Sequence, residues 1–479
     1  MRHLLADLMD VAAGRADYAD ARHVSSVAES ISTRNGNVDL VRRDAEEGFG
    51  VRVRIGGAWG FAAARGSERE AAESALERAI AVARAQPQAN GALPLAPETP
   101  AQGAYSTTFE IDPFDVPLEE KLGLMLAADE GMRGDPRVTL TQAQFSAYRQ
   151  DKVFASSEGA LCEQRIVECG GGIAATATSE DDAQVRSFPG SHREHVAQAG
   201  WEHFTGLGLV ENAPRIAEEA VALLSAPQCP AGRMTLVLDG EQVALQVHES
   251  VGHALELDRV LGREASYAGT SWVQVPDLGS LRYGSDKMNV SADATSATGL
   301  GSFGWDDEGV AAHSFPLISE GVLRGFLSSR ESAAEIGLER SGGCMRAESF
   351  ARQPIIRMTN INLAPGDSGT LEDLIADTDE GVLLETNRSW SIDNRRLQFQ
   401  FATEIAWEIR DGKRGRMLRN PSYAGITPEF WGSLDAVCSE SEWRLWGLLN
   451  CGKGEPGQSM HVSHGAAPAR FRNVQVGVA

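Results

Sequence analysis

Three residues in the stretch QVHESVGHALELD (246–258) could together hold a metal ion and act on a water molecule. His248 is followed directly by Glu249, and His253 lies five positions after His248. Two neutral imidazoles are good zinc ligands, and a glutamate beside the metal can serve as a general base without binding it. Zinc lowers the pKa of a bound water to roughly 7. Chance yields this HExxxH pattern only about 0.03 times in such a chain, so the pattern favours a metal site.

The five-residue spacing restricts the backbone that can carry this site. In a regular helix, residues five apart point about 140° away from each other, so the two histidines would not share an ion. A π-type turn, which has an i→i+5 hydrogen bond, would bring them together, and such turns are found mainly at functional sites. Gly252 directly precedes His253 and tolerates backbone distortion. The sequence therefore predicts a helix irregularity between Ser250 and His253.

A third ligand must come from a distant part of the chain, because catalytic zinc uses three protein ligands and leaves one position for water. The segment NCGKGEPGQSMHVSHG (450–465) offers Cys451, His461 and His464. A cysteine thiolate suits zinc, with iron and manganese as alternatives. We expect a tight Gly-Lys-Gly turn directly after Cys451, which could present its side chain to a site, and the two histidines in a polar loop. Spacing alone does not choose among the three.

The elements that position these residues are predicted to form an α+β fold. The chain has 479 residues, which suits two or three domains. We predict an N-terminal α+β domain over 1–227, with a Pro- and Ala-rich connector at about 86–104. A mostly antiparallel β domain follows over 228–479, and the HExxxH helix lies near its start.

Local patterns predict several of the individual elements. Ser67 and Glu70 predict a capping box at the start of a helix. A further helix is expected at about 213–224. Alternating apolar residues around Asp411–Gly412 predict a hairpin turn.

The composition excludes several classes of function. The net charge of −23 repels nucleic acid and anionic membrane surfaces, so neither is expected as a partner. No run of about 18 apolar residues predicts a membrane span. Asp7 and Asp10 interrupt the N-terminal segment, which argues against a signal peptide. Six cysteines without a CxxC pair favour a reducing compartment, so we expect a cytoplasmic protein.

Several motifs together resemble a known family. The chain is similar to the TldD/PmbA family, and the HExxxH motif is typical of its TldD-type metalloproteases, whereas the PmbA (TldE) type lacks it. The residues that carry the resemblance are EGFGVRVRIGGAWGFAA (47–63), HESVGHALELD (248–258), GSFGWDDEGV (301–310), RMTNINLAPGD (357–367) and NCGKGEPGQSMHVSHG (450–465).

The resemblance implies roles for individual residues. His248, His253 and Cys451 would bind zinc, and Glu249 would be the general base. It also implies a peptidase that acts on short or unfolded peptides in an enclosed site. Such a peptidase would be a homodimer or a heterodimer with a PmbA/TldE-type paralogue.

Two alternatives accompany this interpretation. The chain could be a catalytically silent peptide-binding or regulatory subunit with a structural metal, although Glu249 would then have no use. The acidic segment WDDEG (305–309) is expected to be a solvated turn, with a position along the substrate channel as the alternative.

Overall fold

The computed structural model describes residues 1–87 and 94–477 and confirms the α+β fold class. The helices of the described residues are α1 (Arg2–Ala13), α2 (Arg69–Ala85), α3 (Leu118–Gly131), α4 (Trp201–Gly206), α5 (Leu209–Leu223), α6 (Gly240–Val247), α7 (Leu257–Val260), α8 (Arg330–Glu335), α9 (Leu371–Ala376) and α10 (Thr427–Gly432). In this part of the chain, no helix combines the length and the apolar character needed to cross a membrane.

The strands fall into an N-terminal and a C-terminal group. The N-terminal strands are β1 (Tyr18–Arg34), β2 (Asn37–Ile55), β3 (Ala58–Arg65), β4 (Gln102–Ser106), β5 (Val138–Ser156), β6 (Leu161–Thr178), β7 (Ala183–Phe188) and β8 (His195–Ala197). The C-terminal strands are β9 (Gly232–Leu238), β10 (Val290–Asp293), β11 (Ser314–Ser319), β12 (Val322–Leu323), β13 (Met345–Arg346), β14 (Ile355–Ile356), β15 (Asn360–Leu363), β16 (Glu380–Ile392), β17 (Gln398–Arg410), β18 (Lys413–Leu418), β19 (Ser422–Ile426), β20 (Leu434–Val437), β21 (Arg444–Lys453), β22 (Gln458–Ala466) and β23 (Ala469–Val476).

The N-terminal strands form one sheet with the order β3-β2-β1-β5-β6-β4, and β7 and β8 also pair with β6. Side chains alternate between the two faces of a strand. On β1, Ala19 and Ala21 pack in one core with α1 and α2, while Ile31 packs in a second core with α3 and α5. Residues of opposite parity, such as Ser26 and Ala28, line a cavity on the other face. This sheet therefore supports helices on one face and faces the cavity with the other.

The C-terminal strands form two larger sheets and one short hairpin. A six-stranded sheet has the order β12-β11-β10-β15-β22-β21, and a seven-stranded sheet has the order β16-β9-β23-β19-β17-β18 with β20 added to β23. Most pairs are antiparallel, and the parallel exceptions are β15 with β22 and β9 with β16. Helix α6 contacts β15 and β22 of the first sheet and β16 of the second. The residues after α6 therefore begin between these two sheets.

Some local predictions are confirmed and one is wrong. The hairpin turn at Asp411–Gly412 joins β17 to β18, and both turn residues have positive φ angles. The capping box is wrong, because Glu68 precedes α2 and makes no side-chain cap bond, while its carboxylate accepts from the Ser67 N–H. The helix expected at 213–224 begins earlier, at Leu209.

The predicted domain division stays a prediction. α5 ends at Leu223 and β9 begins at Gly232, so the boundary at 227–228 falls between two elements. Residues 88–93 of the predicted connector lie outside the described residues. β4 begins at Gln102, which lies within the range predicted for the connector.

Candidate metal centre

The HExxxH motif begins where α6 changes its helical geometry. A π-helical turn spans His248–Gly252 and is followed by a 3₁₀ turn over His253–Leu255. The backbone N–H of His253 donates to the carbonyl of His248, which is the i→i+5 bond of a π turn. The predicted irregularity is confirmed, and it begins two residues before the expected position.

Gly252 is needed for a reason that differs from the predicted one. Its φ angle is −53°, an ordinary helical value, so the turn does not use the conformational freedom of glycine. A Cβ atom at this position would lie 2.1 Å from the sulfur of Met358. The glycine therefore permits close packing of the π turn against the segment before β15.

Other contacts from distant elements hold the π turn in place. The Tyr283 hydroxyl donates to the carbonyl oxygen of Ser250. The Trp431 indole N–H donates to the Ser250 hydroxyl at 2.9 Å. Such partners satisfy polar groups that a change of helical pitch would otherwise leave unpaired in a buried position.

The structure brings His248, His253 and Cys451 together. One ligand atom from each lies within 4.8 Å of the others, and all three residues are buried. The Cys451 sulfur is 3.6 Å from Nε2 of His253. Tetrahedral zinc with ordinary bond lengths would separate such a sulfur and nitrogen by about 3.6 Å. The donor set and this distance therefore fit zinc.

Cys451 reaches the cluster from a strand, and the tight turn predicted directly after it is wrong, because the strand continues to Lys453. Cys451 lies in β21 and pairs with Met460 of β22. The register between these strands shifts between Leu448 and Cys451. The turn comes later, at 454–457. A register shift of this kind re-aims side chains, and it accompanies the inward placement of the thiol.

The surroundings favour the protonation states in which these residues bind metals. Burial raises the pKa of the Cys451 thiol, but Arg357 and His253 lower it by a larger amount, so the net shift is downward. Burial lowers the pKa of His248 to about 4 and that of His253 well below its ordinary value. Neutral imidazoles and a thiolate are the forms that bind metal ions.

A buried charge cluster lies behind His253. Nδ1 of His253 is 2.9 Å from a Glu256 carboxylate oxygen. The ammonium group of Lys453 contacts Glu256 at 3.5 Å, Asp258 at 2.8 Å and Glu264 at 2.9 Å. Carboxylates hydrogen-bonded to ligating histidines fix the orientation of the ring. Glu256 lies only three positions after His253, so local spacing could have identified it.

The two C-terminal histidines lie in strand β22, so the predicted polar loop is wrong. Nε2 of His464 is 2.7 Å from Nδ1 of His248, and His464 is buried. Nδ1 of His461 is instead 2.6 Å from Glu168 of β6, and its side chain is 30% exposed. Neither belongs to the cluster of candidate ligands.

Glu249 makes an ion pair that the sequence analysis did not anticipate. Its Oε2 atom is 2.5 Å from Nη1 of Arg396. Arg396 lies between β16 and β17 and has a positive φ angle of 62°. This arginine is 147 positions from Glu249, and no local sequence signal identifies it.

A cavity of about 510 Å³ lies between the N-terminal sheet and the C-terminal domain. His461 and Trp305 are among its lining residues. The expectation of a solvated acidic turn is wrong, because Asp306, Asp307 and Glu308 are all buried. Two of them have cationic partners: Asp307 contacts Lys152 at 2.7 Å, and Glu308 contacts Arg52 at 3.5 Å. Burial, with Glu308 nearby, raises the pKa of Asp306 to about 8.

Comparison with known proteins shows that the chain is similar to one family over most of its length. Models of the PmbA/TldA metallopeptidase family match the chain in three parts. Domain 1 matches residues 19–83, the central domain matches 111–226 and the C-terminal domain matches 231–478. The candidate ligands all lie within the last of these parts.

Individual relatives extend the comparison over the whole chain. A metalloprotease of Methanothermobacter thermautotrophicus is 31% identical over 470 residues, which is 98% of this chain and 97% of the relative. A zinc metalloprotease TldD homologue of Saccharolobus solfataricus is 26% identical over 248 residues, 52% of each chain. The crystal structure of TldE from Thermococcus kodakarensis superposes with a TM-score of 0.72 and 16% identity, covering 99% of this chain and all of that one.

Proposed function

This chain belongs to the PmbA/TldD metallopeptidase family, and we propose that it is a zinc-dependent peptidase with His248, His253 and Cys451 as ligands. One observation carries the proposal. Among the described residues, the cluster contains these three candidate ligands and no fourth. Structural zinc sites use four protein ligands, whereas catalytic sites use three and keep one position open.

The metal and the protein side chains would each contribute a different part of the hydrolysis. Zinc would supply Lewis acidity, which polarises a carbonyl group and makes water more acidic. Glu249 would take the proton from the attacking water and then pass it to the leaving amine. Its Oε2 atom is occupied by Arg396, so we assign the proton transfer to Oε1. Arg396 would orient the base by fixing the other carboxylate oxygen.

We propose that the substrates are short or unfolded peptides. The candidate ligands and Glu249 are each at most 5% exposed, so a folded protein surface would not reach them. An extended peptide can bind through its main chain, which permits broad sequence tolerance.

The proposed assembly and compartment follow from the family resemblance and the cysteines. We propose an enclosed dimer, formed by two copies or by this chain with a PmbA/TldE-type paralogue. The similarity to TldE concerns the fold alone at 16% identity. All six cysteines are unpaired and buried, which suits the reducing conditions of the cytoplasm.

Metal analysis combined with a cleavage assay tests the proposal. The purified chain would be measured for zinc and for cleavage of an unstructured peptide, with and without chelator, alone and mixed with a PmbA/TldE-type paralogue. We expect about one zinc per chain and cleavage that the chelator abolishes and zinc restores. Cleavage only in the mixture would mean that a partner completes the site.

Two results would replace the proposal with its alternative. Bound zinc without cleavage in either sample would indicate a catalytically silent peptide-binding or regulatory subunit with a structural metal. Zinc coordination by four protein ligands, measured by X-ray absorption, would support the same conclusion.

A further inference from the structure

We infer that His464 is a positioning residue that fixes the tautomer of His248, so that His248 presents Nε2 to the metal. The inference rests on the proposed metal-binding function. It assigns a role to a histidine that is absent from the cluster of candidate ligands and lies 216 positions away from its partner.

The nitrogen of His464 that points away from His248 faces a backbone carbonyl. Its Nδ1 atom is 3.2 Å from the carbonyl oxygen of Ile361. A carbonyl oxygen only accepts hydrogen bonds, so Nδ1 of His464 carries the hydrogen. A neutral imidazole has a single N–H group, which leaves a lone pair on Nε2 of His464.

That lone pair determines the state of His248. Nε2 of His464 and Nδ1 of His248 are 2.7 Å apart, so one hydrogen must lie between them. Because His464 has none to donate at Nε2, Nδ1 of His248 carries the hydrogen. Its Nε2 atom then has the free lone pair that a metal ligand requires.

The neutral state of His464 follows from its surroundings. The residue is 2% exposed, and its ring nitrogens contact an imidazole and a carbonyl oxygen, neither of which is anionic. A buried cation without a negatively charged partner is costly. A cationic His464 would also donate from Nε2 and force the hydrogen of His248 onto the nitrogen that should bind the metal.

His253, the other candidate histidine ligand, can be compared with His248 in the same site. Nδ1 of His253 faces the Glu256 carboxylate at 2.9 Å, and its Nε2 atom faces the Cys451 sulfur. His253 therefore directs Nε2 towards the cluster, as the inference assigns to His248. The anionic Glu256 gives a charge-assisted hydrogen bond, whereas the neutral His464 orients His248 without adding a negative charge.

The backbone around His464 is held from both sides. β22 lies between β15 and β21 in the six-stranded sheet. Its neighbour Ser463 pairs with Asn360 of β15, and the N–H of Gly465 donates to the Asn362 side chain at 2.8 Å. His464 therefore lies on an inner strand and has little freedom to move. Such rigidity is expected of a residue that positions a metal ligand.

Substitution of His464 tests whether its nitrogen acts as an acceptor. His464→Phe keeps a planar ring but removes the acceptor, and we expect zinc affinity to fall about 10–100-fold. The cobalt-substituted protein should show an altered visible spectrum. His464→Gln provides an amide oxygen in place of the nitrogen, so we expect it to recover much of the affinity. His461→Phe, on the same strand, is the matched control and should retain wild-type affinity.

Two results would overturn the inference. A folded His464→Phe protein with wild-type zinc affinity and an unchanged cobalt spectrum would contradict it. Nitrogen-15 NMR of histidine in the metal-free wild-type protein provides a test that needs no variant. Observation of the hydrogen on Nε2 of His248 would contradict the inference even if His464→Phe failed to fold.

These measurements also separate this inference from the proposed function. If the wild-type chain bound zinc but cleaved no peptide, the peptidase proposal would fail while the affinity and tautomer results still applied. If the chain bound zinc and cleaved peptides but His248 carried its hydrogen on Nε2 when metal-free, only the inference about His464 would fail.

Discussion

His461 and His464 lie three positions apart on β22 and occupy opposite kinds of environment. Burial alone would lower the pKa of His461, but the Glu168 carboxylate raises it above its ordinary value. Burial, together with His248, lowers the pKa of His464 well below that value. One histidine is stabilised as a cation beside a cavity, and the other is kept neutral beside the candidate metal ligands. Neighbouring groups therefore decide what each histidine can do.

The same contrast extends to other side chains on the two sides of β22. Towards the metal, Glu249 pairs with Arg396, and Lys453 contacts three carboxylates. Towards the cavity, Glu168 pairs with His461, and Lys152 contacts Asp307. Glu249 and Lys453 on the metal side thus have counterparts of the same type, Glu168 and Lys152, on the cavity side, which provide matched controls.

The largest expected effect is the loss of the general base. Glu249→Gln should lower kcat by about 10²–10⁴-fold, because it removes proton transfer, while zinc content stays near one per chain. Glu168→Gln removes a carboxylate from the cavity side and should reduce kcat far less. Peptide cleavage by the two metal-loaded variants checks this. Full activity of Glu249→Gln would remove Glu249 from the proposed mechanism.

The buried charge cluster should respond strongly to loss of its cation. Lys453→Met leaves Glu256, Asp258 and Glu264 without the ammonium group and should destabilise the protein by about 3–5 kcal/mol. Denaturant unfolding of the metal-free protein measures this. Lys152→Met leaves Asp307 without its ammonium partner and should cost less. Equal losses would show that the number of carboxylates around the lysine is unimportant.

Removal of the thiol should weaken metal binding without loss of the fold. Cys451→Ser should lower zinc affinity by at least about 100-fold, because a serine hydroxyl is a far poorer zinc ligand than a thiolate. Cys438→Ser changes another buried thiol and should leave affinity unchanged. Competition with a chelator of known affinity provides the measurement. Unchanged zinc binding in Cys451→Ser would remove Cys451 from the proposed ligand set.

A methyl group at Gly252 should strain the packing of the π turn. Gly252→Ala should cost about 1–3 kcal/mol through overpacking against Met358. Met358→Ala in the same chain should relieve part of that strain. Gly123→Ala, at a helical site with no atoms near the added carbon, should instead stabilise by about 0.5–1 kcal/mol. Thermal unfolding compares the variants, and a Gly252→Ala protein as stable as wild type would refute close packing as the reason for glycine.

The smallest expected effect concerns the cavity-side histidine. The raised pKa of His461 means that its pairing with Glu168 stabilises the protein fully below pH 6.5 and is lost as pH rises through the folded-state pKa. NMR titration should place the His461 midpoint above 6.5 in the wild-type protein and lower in Glu168→Gln. Because the side chain is 30% exposed, solvent screening keeps the stability change below about 1 kcal/mol. Equal His461 midpoints in the wild type and in Glu168→Gln would show that Glu168 does not raise the pKa of His461.

The sequence by itself determined the features that depend on neighbouring residues. The five-residue spacing of His248 and His253 predicted the π turn, because the hydrogen bonds of a helical turn join residues that are close in the chain. Asp411–Gly412 determined a hairpin turn for a similar reason. The choice of Cys451 as third ligand came from family resemblance and not from local spacing.

Only the tertiary structure decided which distant groups complete the site. Arg396 is 147 positions from Glu249, and His464 is 216 positions from His248. The register of β22 determined that His464 faces the π turn while His461 faces the cavity. Met358, which lies before β15, leaves no space for a Cβ atom at position 252, so this residue must be glycine. Such contacts depend on how sheets and helices pack together, and no local pattern in the sequence specifies that packing.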